Sequence, residues 1–206
     1  MAGLNPRKRL WIEAAATIVF LVVVLLQFAR FVTFIEQRPG VVLADPLLAR
    51  FAPRDVTWLV FGALYGALVI TIGLLVKNPP RLLAGCQAYA VMVLLRFVMM
   101  WAAPFDPPPT AIPLADPFVS LFGPSQALTR DLFFSGHTAT STLVALAAPK
   151  RWANVVLGCL AAAIASGVIL QHVHYTIDVL VAVPVAFSAW RLVLTVRKWI
   201  GLPDVT

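Results

Sequence analysis

The chain has 206 residues, of which 61% are hydrophobic and 12% are charged, and its mean hydropathy is +0.89. Soluble domains are typically about half apolar and about a quarter charged, so this composition excludes an ordinary water-soluble fold. The formal net charge of +7 would suit nucleic-acid binding, but the Lys and Arg residues form short clusters between apolar segments. That arrangement is typical of membrane topology. The sequence therefore predicts an all-α protein embedded in the lipid bilayer, with no nucleic-acid partner.

Six segments are apolar enough to cross a bilayer, which takes roughly 20 residues as helix. In chain order they are residues 13–34, 57–76, 82–103, 132–149, 153–171 and 176–196. The fourth segment reaches the required length only if its helix begins near Leu132. We predict a single catalytic domain, residues 1–206, built as an integral membrane bundle of six transmembrane helices.

The basic residues predict the orientation of this bundle. They cluster beside alternate ends of the spans, at Arg7-Lys8-Arg9, Lys77 and Arg81, Lys150 and Arg151, and Arg197 and Lys198. The opposite side carries fewer basic residues, in two longer loops: Arg38, Arg50, Arg54 and Arg130. Because cytoplasmic loops are enriched in Lys and Arg, both termini are expected in the cytoplasm.

The two longer loops, residues 35–56 and 104–130, contain many prolines, which prevent a continuous helix. Apolar residues are interspersed among these prolines, among them Val41, Phe118 and Phe122. Such residues favour the headgroup layer of the membrane. Two interpretations remain open: the loops are simple connectors, or they form a rim that guides lipid sideways into a site.

The three histidines of the chain are all predicted at helix ends on the side of the longer loops: His137, His172 and His174. Asp178 follows His174 by four residues, so the two side chains share one face of a helix. A carboxylate within the membrane is costly and is usually paired or functional. Asp178 can hold one ring nitrogen of His174 and leave the other free to attack. We expect this pair to act in catalysis with His137; the alternative is a purely structural His–Asp pair.

Ser135 and Gly136 precede His137 at a predicted helix start, where unpaired backbone N–H groups favour an anion. A glycine there lets a phosphate approach the backbone closely. We predict that these residues bind phosphate, with helix capping by Ser135 as the alternative.

Three further polar residues are candidates for substrate binding. Arg96 either clamps phosphate or extends its charge to the membrane surface. Asp131 belongs either to the helix terminus or to the site, and His172 is either a surface residue or a headgroup contact. A metal site built from the histidines and an acid is a further alternative, although the usual zinc-ligand spacing is not present.

Two blocks of the sequence resemble the signatures of the sphingomyelin synthase family. Asp131-Leu132-Phe133-Phe134-Ser135-Gly136-His137-Thr138 is similar to its Cys-Gly-Asp, three residues, Ser-Gly-His-Thr signature. His172-Val173-His174-Tyr175-Thr176-Ile177-Asp178 is similar to its second signature, His-Tyr-Thr followed by Asp two residues on. Leu95-Arg96-Phe97 offers a weaker third match. This family lies within the type-2 phosphatidic-acid phosphatase superfamily of metal-independent enzymes.

The resemblance implies that a phosphocholine or phosphoethanolamine headgroup moves from a membrane phospholipid donor to ceramide or diacylglycerol, without a cofactor. It assigns His174 as the nucleophile that forms a phosphohistidine, Asp178 as its orienting residue and His137 as acid and then base. Tyr175 lies within the second signature and joins the substrate-binding residues. Hydrolysis at the same site, as in a lipid phosphatase or a phospholipase C-like enzyme, is the first alternative. A non-catalytic transporter or assembly protein is the second.

The chain also departs from the family pattern. Thr129 and Arg130 replace the Cys and Gly, and residues 179–184 lack the aromatic residues that animal members carry after the Asp. These differences suggest a bacterial member, located in the inner membrane with its site facing the periplasm. The prediction is compatible with an oligomer.

Overall fold

The computed structural model describes residues 5–117, 129–203 and 205. Within them the chain forms six α-helices and one 3₁₀ turn (Leu48–Arg50). The helices are α1 (Pro6–Gln37), α2 (Thr57–Leu75), α3 (Pro79–Ala102), α4 (Gly136–Ala147), α5 (Arg151–Leu170) and α6 (Thr176–Trp199). The described residues therefore confirm the all-α prediction.

Three of these helices begin at a polar side chain that caps the first turn. The side chains of Asn5, Asn78 and Ser135 each accept a hydrogen bond from a backbone N–H two or three residues later. This satisfies one of the N–H groups that a helix start leaves without a partner. Proline follows both asparagines, at a position where the absent N–H costs nothing.

The ends of the bundle are tied together by arginines. A buried ion pair joins Glu13 near the start of α1 to Arg197 near the end of α6. Arg81, at the start of α3, donates hydrogen bonds of 2.8 Å to the carbonyls of Ala147 and Ala148. These contacts place both ends of the described chain at one end of the bundle, together with the α2–α3 and α4–α5 turns. We call this the basic end, and the opposite end the histidine end.

Five of the described helices, all except α4, are long and apolar enough to span a membrane. Tryptophans that are more than half exposed lie near both ends of the bundle. Trp11, Trp152 and Trp199 lie at the basic end, and Trp58 and Trp101 lie at the histidine end. Tryptophan is enriched at both interfaces of a bilayer, so these two groups lie where the two membrane surfaces are expected.

The predicted start of the fourth span is wrong. The helix begins at Gly136 rather than near Leu132, and its 12 residues reach only about 18 Å. The helix starts later because the backbone before Gly136 forms hydrogen bonds with other helices. Arg96 Nε of α3 donates to the Phe134 carbonyl at 3.0 Å, and Ser135 N donates to the Asp178 carbonyl at 3.2 Å. These peptide groups are held outside a helix, and α4 packs centrally against α3, α5 and α6.

The two long loops pair with each other at the histidine end. Val41 N donates to the Pro104 carbonyl at 2.9 Å, and Asp106 N donates to the Val41 carbonyl at 3.1 Å. Gly40 makes this approach possible, because a Cβ there would lie 2.6 Å from Asp106 N. The described parts of the two loops are thus hydrogen-bonded to each other at this end of the bundle.

Candidate active site

His174 and Asp178 form the predicted pair, but they do not share a helix face, because His174 precedes the helix that begins at Thr176. His174 Nδ1 lies 3.3 Å from Asp178 Oδ2, and both side chains are buried. The same Oδ2 accepts a 2.9 Å hydrogen bond from Tyr175 N, which holds the carboxylate at the first turn of α6. With Nδ1 as the donor to Asp178, Nε2 of His174 keeps its lone pair for attack.

His137 lies opposite this pair. The ring centroids of His137 and His174 are 6.4 Å apart, with an interplanar angle of 64°. A nucleophile and the atom that it attacks are about 3–3.5 Å apart just before reaction, so both rings are close enough to contact one phosphoryl group. Phe61 of α2 packs edge-on against His137, with ring centroids 5.4 Å apart.

The histidines reach one place because α4 and α6 are bonded at their starts. Ser135 is fully buried; its Oγ caps α4, and its N–H holds the α6 backbone at Asp178. His137 follows by two residues on α4, and His174 precedes Asp178 by four. Ser135 therefore caps the helix, as the capping alternative predicts, and its role in binding phosphate stays a prediction.

Arg96 supplies positive charge beside the histidines. It is 8% exposed, and its Nη2 forms a 2.8 Å ion pair with Asp131. Its guanidinium lies against Gly136, where a Cβ would come within 2.9 Å of Arg96 Cζ. Glycine at this position thus makes room for the arginine at the start of α4. Within the described residues Nη1 makes no hydrogen bond, so it retains donors for an oxyanion.

These groups line a cavity of about 710 Å³, here called the histidine cavity. Five of the residues predicted for the site are in its wall: Arg96, Asp131, Gly136, His137 and His174. Prolines of the second long loop close another side: Pro107, Pro108, Pro109 and Pro113. The loop is therefore more than a connector, since it forms part of the cavity. Phe118 and Phe122 of that loop lie outside the described residues.

The other predicted site residues lie behind the cavity wall. Tyr175 is 1% exposed; its hydroxyl donates to the Asp106 carbonyl at 2.8 Å and accepts from Leu43 N at 3.1 Å. His172 is also 1% exposed, and its Nδ1 lies 2.6 Å from Thr110 Oγ1. Both residues tie the loops to the α5–α6 turn, and His172 is not the surface residue of the first alternative.

Burial lowers the pKa of His172 below its usual value. The neutral ring is therefore the favoured form in the folded protein. His172 Nε2 is buried and has no hydrogen-bond partner within the described part of the chain.

The two residues that depart from the family pattern bind other loops. Thr129 N and Arg130 N donate to the carboxylate of Glu36 at 3.0–3.2 Å. Arg130 Nε also pairs with Asp106 Oδ1 at 2.6 Å. These contacts fasten the segment before α4 to the end of α1.

Three polar residues that no sequence motif singles out also have defined roles here, two in the cavity wall and one behind it. Asp116 of the proline-rich loop and Tyr65 of α2 both line the histidine cavity, and the Tyr65 hydroxyl donates to Asp116 Oδ2 at 2.6 Å. They are 51 residues apart, and no motif links them. Gln171 is fully buried; it accepts from Val56 N and donates to Thr57 Oγ1. In the sequence, Gln171 is distinguished only as a polar residue at the end of an apolar segment.

Residues 130–195 match the family model described as PAP2 superfamily C-terminal. The match covers about a third of the chain and contains His137, His174 and Asp178. It supports the type-2 phosphatidic-acid phosphatase superfamily for this segment, and with it a phosphatase or phosphotransferase type of activity. The comparison with curated proteins gives no match. In the described ranges, no three His, Cys, Asp or Glu side chains are grouped so that they could hold a metal ion.

Proposed function

We propose that the protein transfers a phospho-alcohol headgroup from a glycerophospholipid to ceramide or diacylglycerol through a phosphohistidine intermediate. The observation that carries this proposal is the 6.4 Å separation of the His137 and His174 rings. Two imidazoles at that distance, one of them paired with a buried carboxylate, can attack a phosphorus atom from one side and protonate its leaving group on the other.

The first half of the reaction breaks the bond between phosphorus and the glycerol oxygen of the donor. The Nε2 lone pair of His174 attacks the phosphorus, while His137 gives its proton to the departing diacylglycerol oxygen. Asp178 stabilises the positive charge that develops on the His174 ring. The guanidinium of Arg96 lies against Gly136 at the start of α4, where its Nη1 can hold an oxygen of the phosphoryl group.

The second half reverses these roles. His137, now neutral, takes the proton of an acceptor hydroxyl, and the resulting oxygen attacks the phosphorus as the bond to His174 Nε2 breaks. With a ceramide or diacylglycerol hydroxyl the product is a new phospholipid. With water it is a free phosphate or phospho-alcohol, which is the hydrolase alternative.

The residues in the wall of the histidine cavity favour a substrate with a cationic headgroup. Asp116 places a carboxylate there, and Phe61 and Tyr65 present stacked rings with centroids 6.2 Å apart. A carboxylate beside aromatic faces attracts an ammonium group. This favours phosphocholine or phosphoethanolamine over an uncharged headgroup.

The side of the membrane that the site faces follows from the distribution of basic residues. The histidine cavity lies at the end of the bundle opposite the basic clusters, and the positive-inside rule assigns those clusters to the cytoplasm. We therefore infer that the site faces away from the cytosol, towards the periplasm of a bacterial inner membrane.

The test offers purified protein in lipid nanodiscs a labelled donor phospholipid together with ceramide or diacylglycerol. A labelled new phospholipid supports transfer, whereas a water-soluble labelled product supports hydrolysis. His174→Ala should abolish either product. Ser166→Ala is the matched control, because this exposed side chain bonds only to its own helix. Full activity of His174→Ala, or loss of wild-type activity on chelation, would contradict the proposal.

A further inference from the structure

A second cavity, of about 350 Å³, lies within the helical part of the bundle and is here called the apolar cavity. Its wall is almost entirely hydrocarbon and comes from four helices, with Leu21 from α1, four residues each from α2 and α3, and four from α4. Those of α2 and α3 include Leu68, Ile72, Leu75, Leu82, Gly85 and Tyr89. Those of α4 are Thr140, Leu143, Val144 and Ala147.

The apolar cavity adjoins the histidine cavity. Leu68, Tyr89 and Thr140 line both of them, and these residues come from three different helices. Thr140 follows His137 by three residues, so both project from one face of α4. The two cavities therefore meet at these three residues, next to His137.

On both α3 and α4, a polar residue near the histidine end is followed by apolar residues towards the basic end. Towards the basic end, α4 runs from His137 to Ala147, and α3 runs from Arg96 to Leu82. The apolar cavity lies along eight residues of each helix, 140–147 on α4 and 82–89 on α3, and the seven rises between their ends amount to about 10 Å. Each helix thus presents a polar group near the membrane surface and a hydrocarbon face below it.

The apolar cavity also opens to the bilayer. α1 packs mainly on α3 and α2 mainly on α5, which leaves a gap between α1 and α2. Ile72 borders this gap on α2 and is 54% exposed. Hydrocarbon from the surrounding membrane can enter here at little cost, because it exchanges one apolar environment for another.

We propose that the apolar cavity binds one acyl chain of the phospholipid donor while its phosphate lies between His137 and His174. This inference rests on the proposed function and adds a requirement for chain length to it. A chain must pass Tyr89 and Thr140 and continue for about 10 Å to fill the cavity. Short-chain donors leave it partly empty and make fewer van der Waals contacts with its wall.

Gly85→Leu tests the proposal by filling the apolar cavity. A Cβ at Gly85 would lie 3.8 Å from Ala147 Cβ, so the added carbons have room to start and then occupy the space of the ligand. Gly73→Leu is the matched control, since no atom lies within 4 Å of a Cβ at that position on α2.

The assay compares dihexanoyl and dipalmitoyl donors with the same headgroup, presented in detergent micelles. Gly85→Leu should lower turnover of the dipalmitoyl donor at least tenfold more than turnover of the dihexanoyl donor, and Gly73→Leu should leave that ratio unchanged. Activity on the short donor shows that the variant is folded. An equal loss on both donors, or no loss on either, would overturn the acyl-chain site and leave the proposed function intact.

A second measurement does not depend on turnover. A donor with a photoreactive group near the end of one acyl chain should crosslink to the walls of the apolar cavity around Leu75, Leu82 and Ala147. Crosslinks confined to lipid-facing positions such as Val69 and Val98 would overturn the proposal. If the wild-type protein turns over no donor at all, the proposed function itself is wrong.

Discussion

Replacing Gly136 with alanine tests how Arg96 is held in the site. The new Cβ would come within 2.9 Å of Arg96 Cζ, which is closer than real Cβ contacts, so the guanidinium must move. That movement breaks at least one of its charged interactions, the 2.8 Å pair with Asp131 or the 3.0 Å bond to the Phe134 carbonyl. A hydrogen bond to a charged group contributes about 1.5–3 kcal/mol.

If the lost interaction stabilises the transition state of the reaction, its removal lowers turnover roughly 10- to 150-fold, since each 1.4 kcal/mol is a factor of ten. The assay is the rate of labelled headgroup transfer in nanodiscs, with thermal unfolding measured in the same preparation. Gly158→Ala on α5 is the matched control, because open space surrounds that glycine. It should change neither quantity.

The physical reason is tested by a double-mutant cycle. Lysine at position 96 lacks the planar fork that reaches both the Phe134 carbonyl and Asp131. In an Arg96→Lys background, Gly136→Ala should therefore lose most of its effect, because the clash partner is gone. An equal cost in both backgrounds would refute the argument that Gly136 exists to accommodate Arg96.

Three further changes address the other parts of the site. Asp178→Asn should lower turnover about 10²–10⁴-fold at unchanged KM, because His174 loses the partner that sets its tautomer; steady-state kinetics measures both parameters. Gln171→Ala should lower the free energy of unfolding in detergent by about 2–4 kcal/mol, since it leaves buried groups without partners, whereas the exposed Gln27→Ala should not. The folded protein resists protonation of His172 because burial lowers its pKa, so the melting temperature should fall as the pH drops below about 6.5. His172→Gln should reduce that dependence.

Each of these expectations has a contradicting result. Wild-type turnover in Asp178→Asn would mean that the His174 tautomer is set by another group. Equal stability of Gln171→Ala and Gln27→Ala would show that the bonds of Gln171 to the α2 start contribute little. An identical pH dependence in His172→Gln and the wild type would show that His172 is not the group that titrates.

The helices could be predicted from the sequence because lipid imposes a simple rule. A segment that crosses hydrocarbon must satisfy its backbone as helix and expose apolar side chains. The start of α4 did not follow from this rule. Its position depends on hydrogen bonds from Arg96 and to Asp178, on helices that are distant in sequence.

The reacting groups could be predicted for a related reason. Ionisable residues within apolar segments are rare, so His137, His174 and Asp178 stand out in the sequence. Asp116 does not stand out, because it lies in a loop outside the apolar segments, where carboxylates are common. Its place in the cavity wall arises from contact with Tyr65, and neither hydropathy nor periodicity records such a pairing.

The central claim is that His174 carries the phosphoryl group between donor and acceptor. Purified protein is mixed with a donor phospholipid in the absence of acceptor, quenched rapidly in alkali, digested and examined by mass spectrometry. An acid-labile, alkali-stable phospho-adduct is expected on His174, and it should disappear when ceramide or diacylglycerol is added. Catalytic turnover with no adduct at any time point, or an adduct on His137 instead, would contradict the claim.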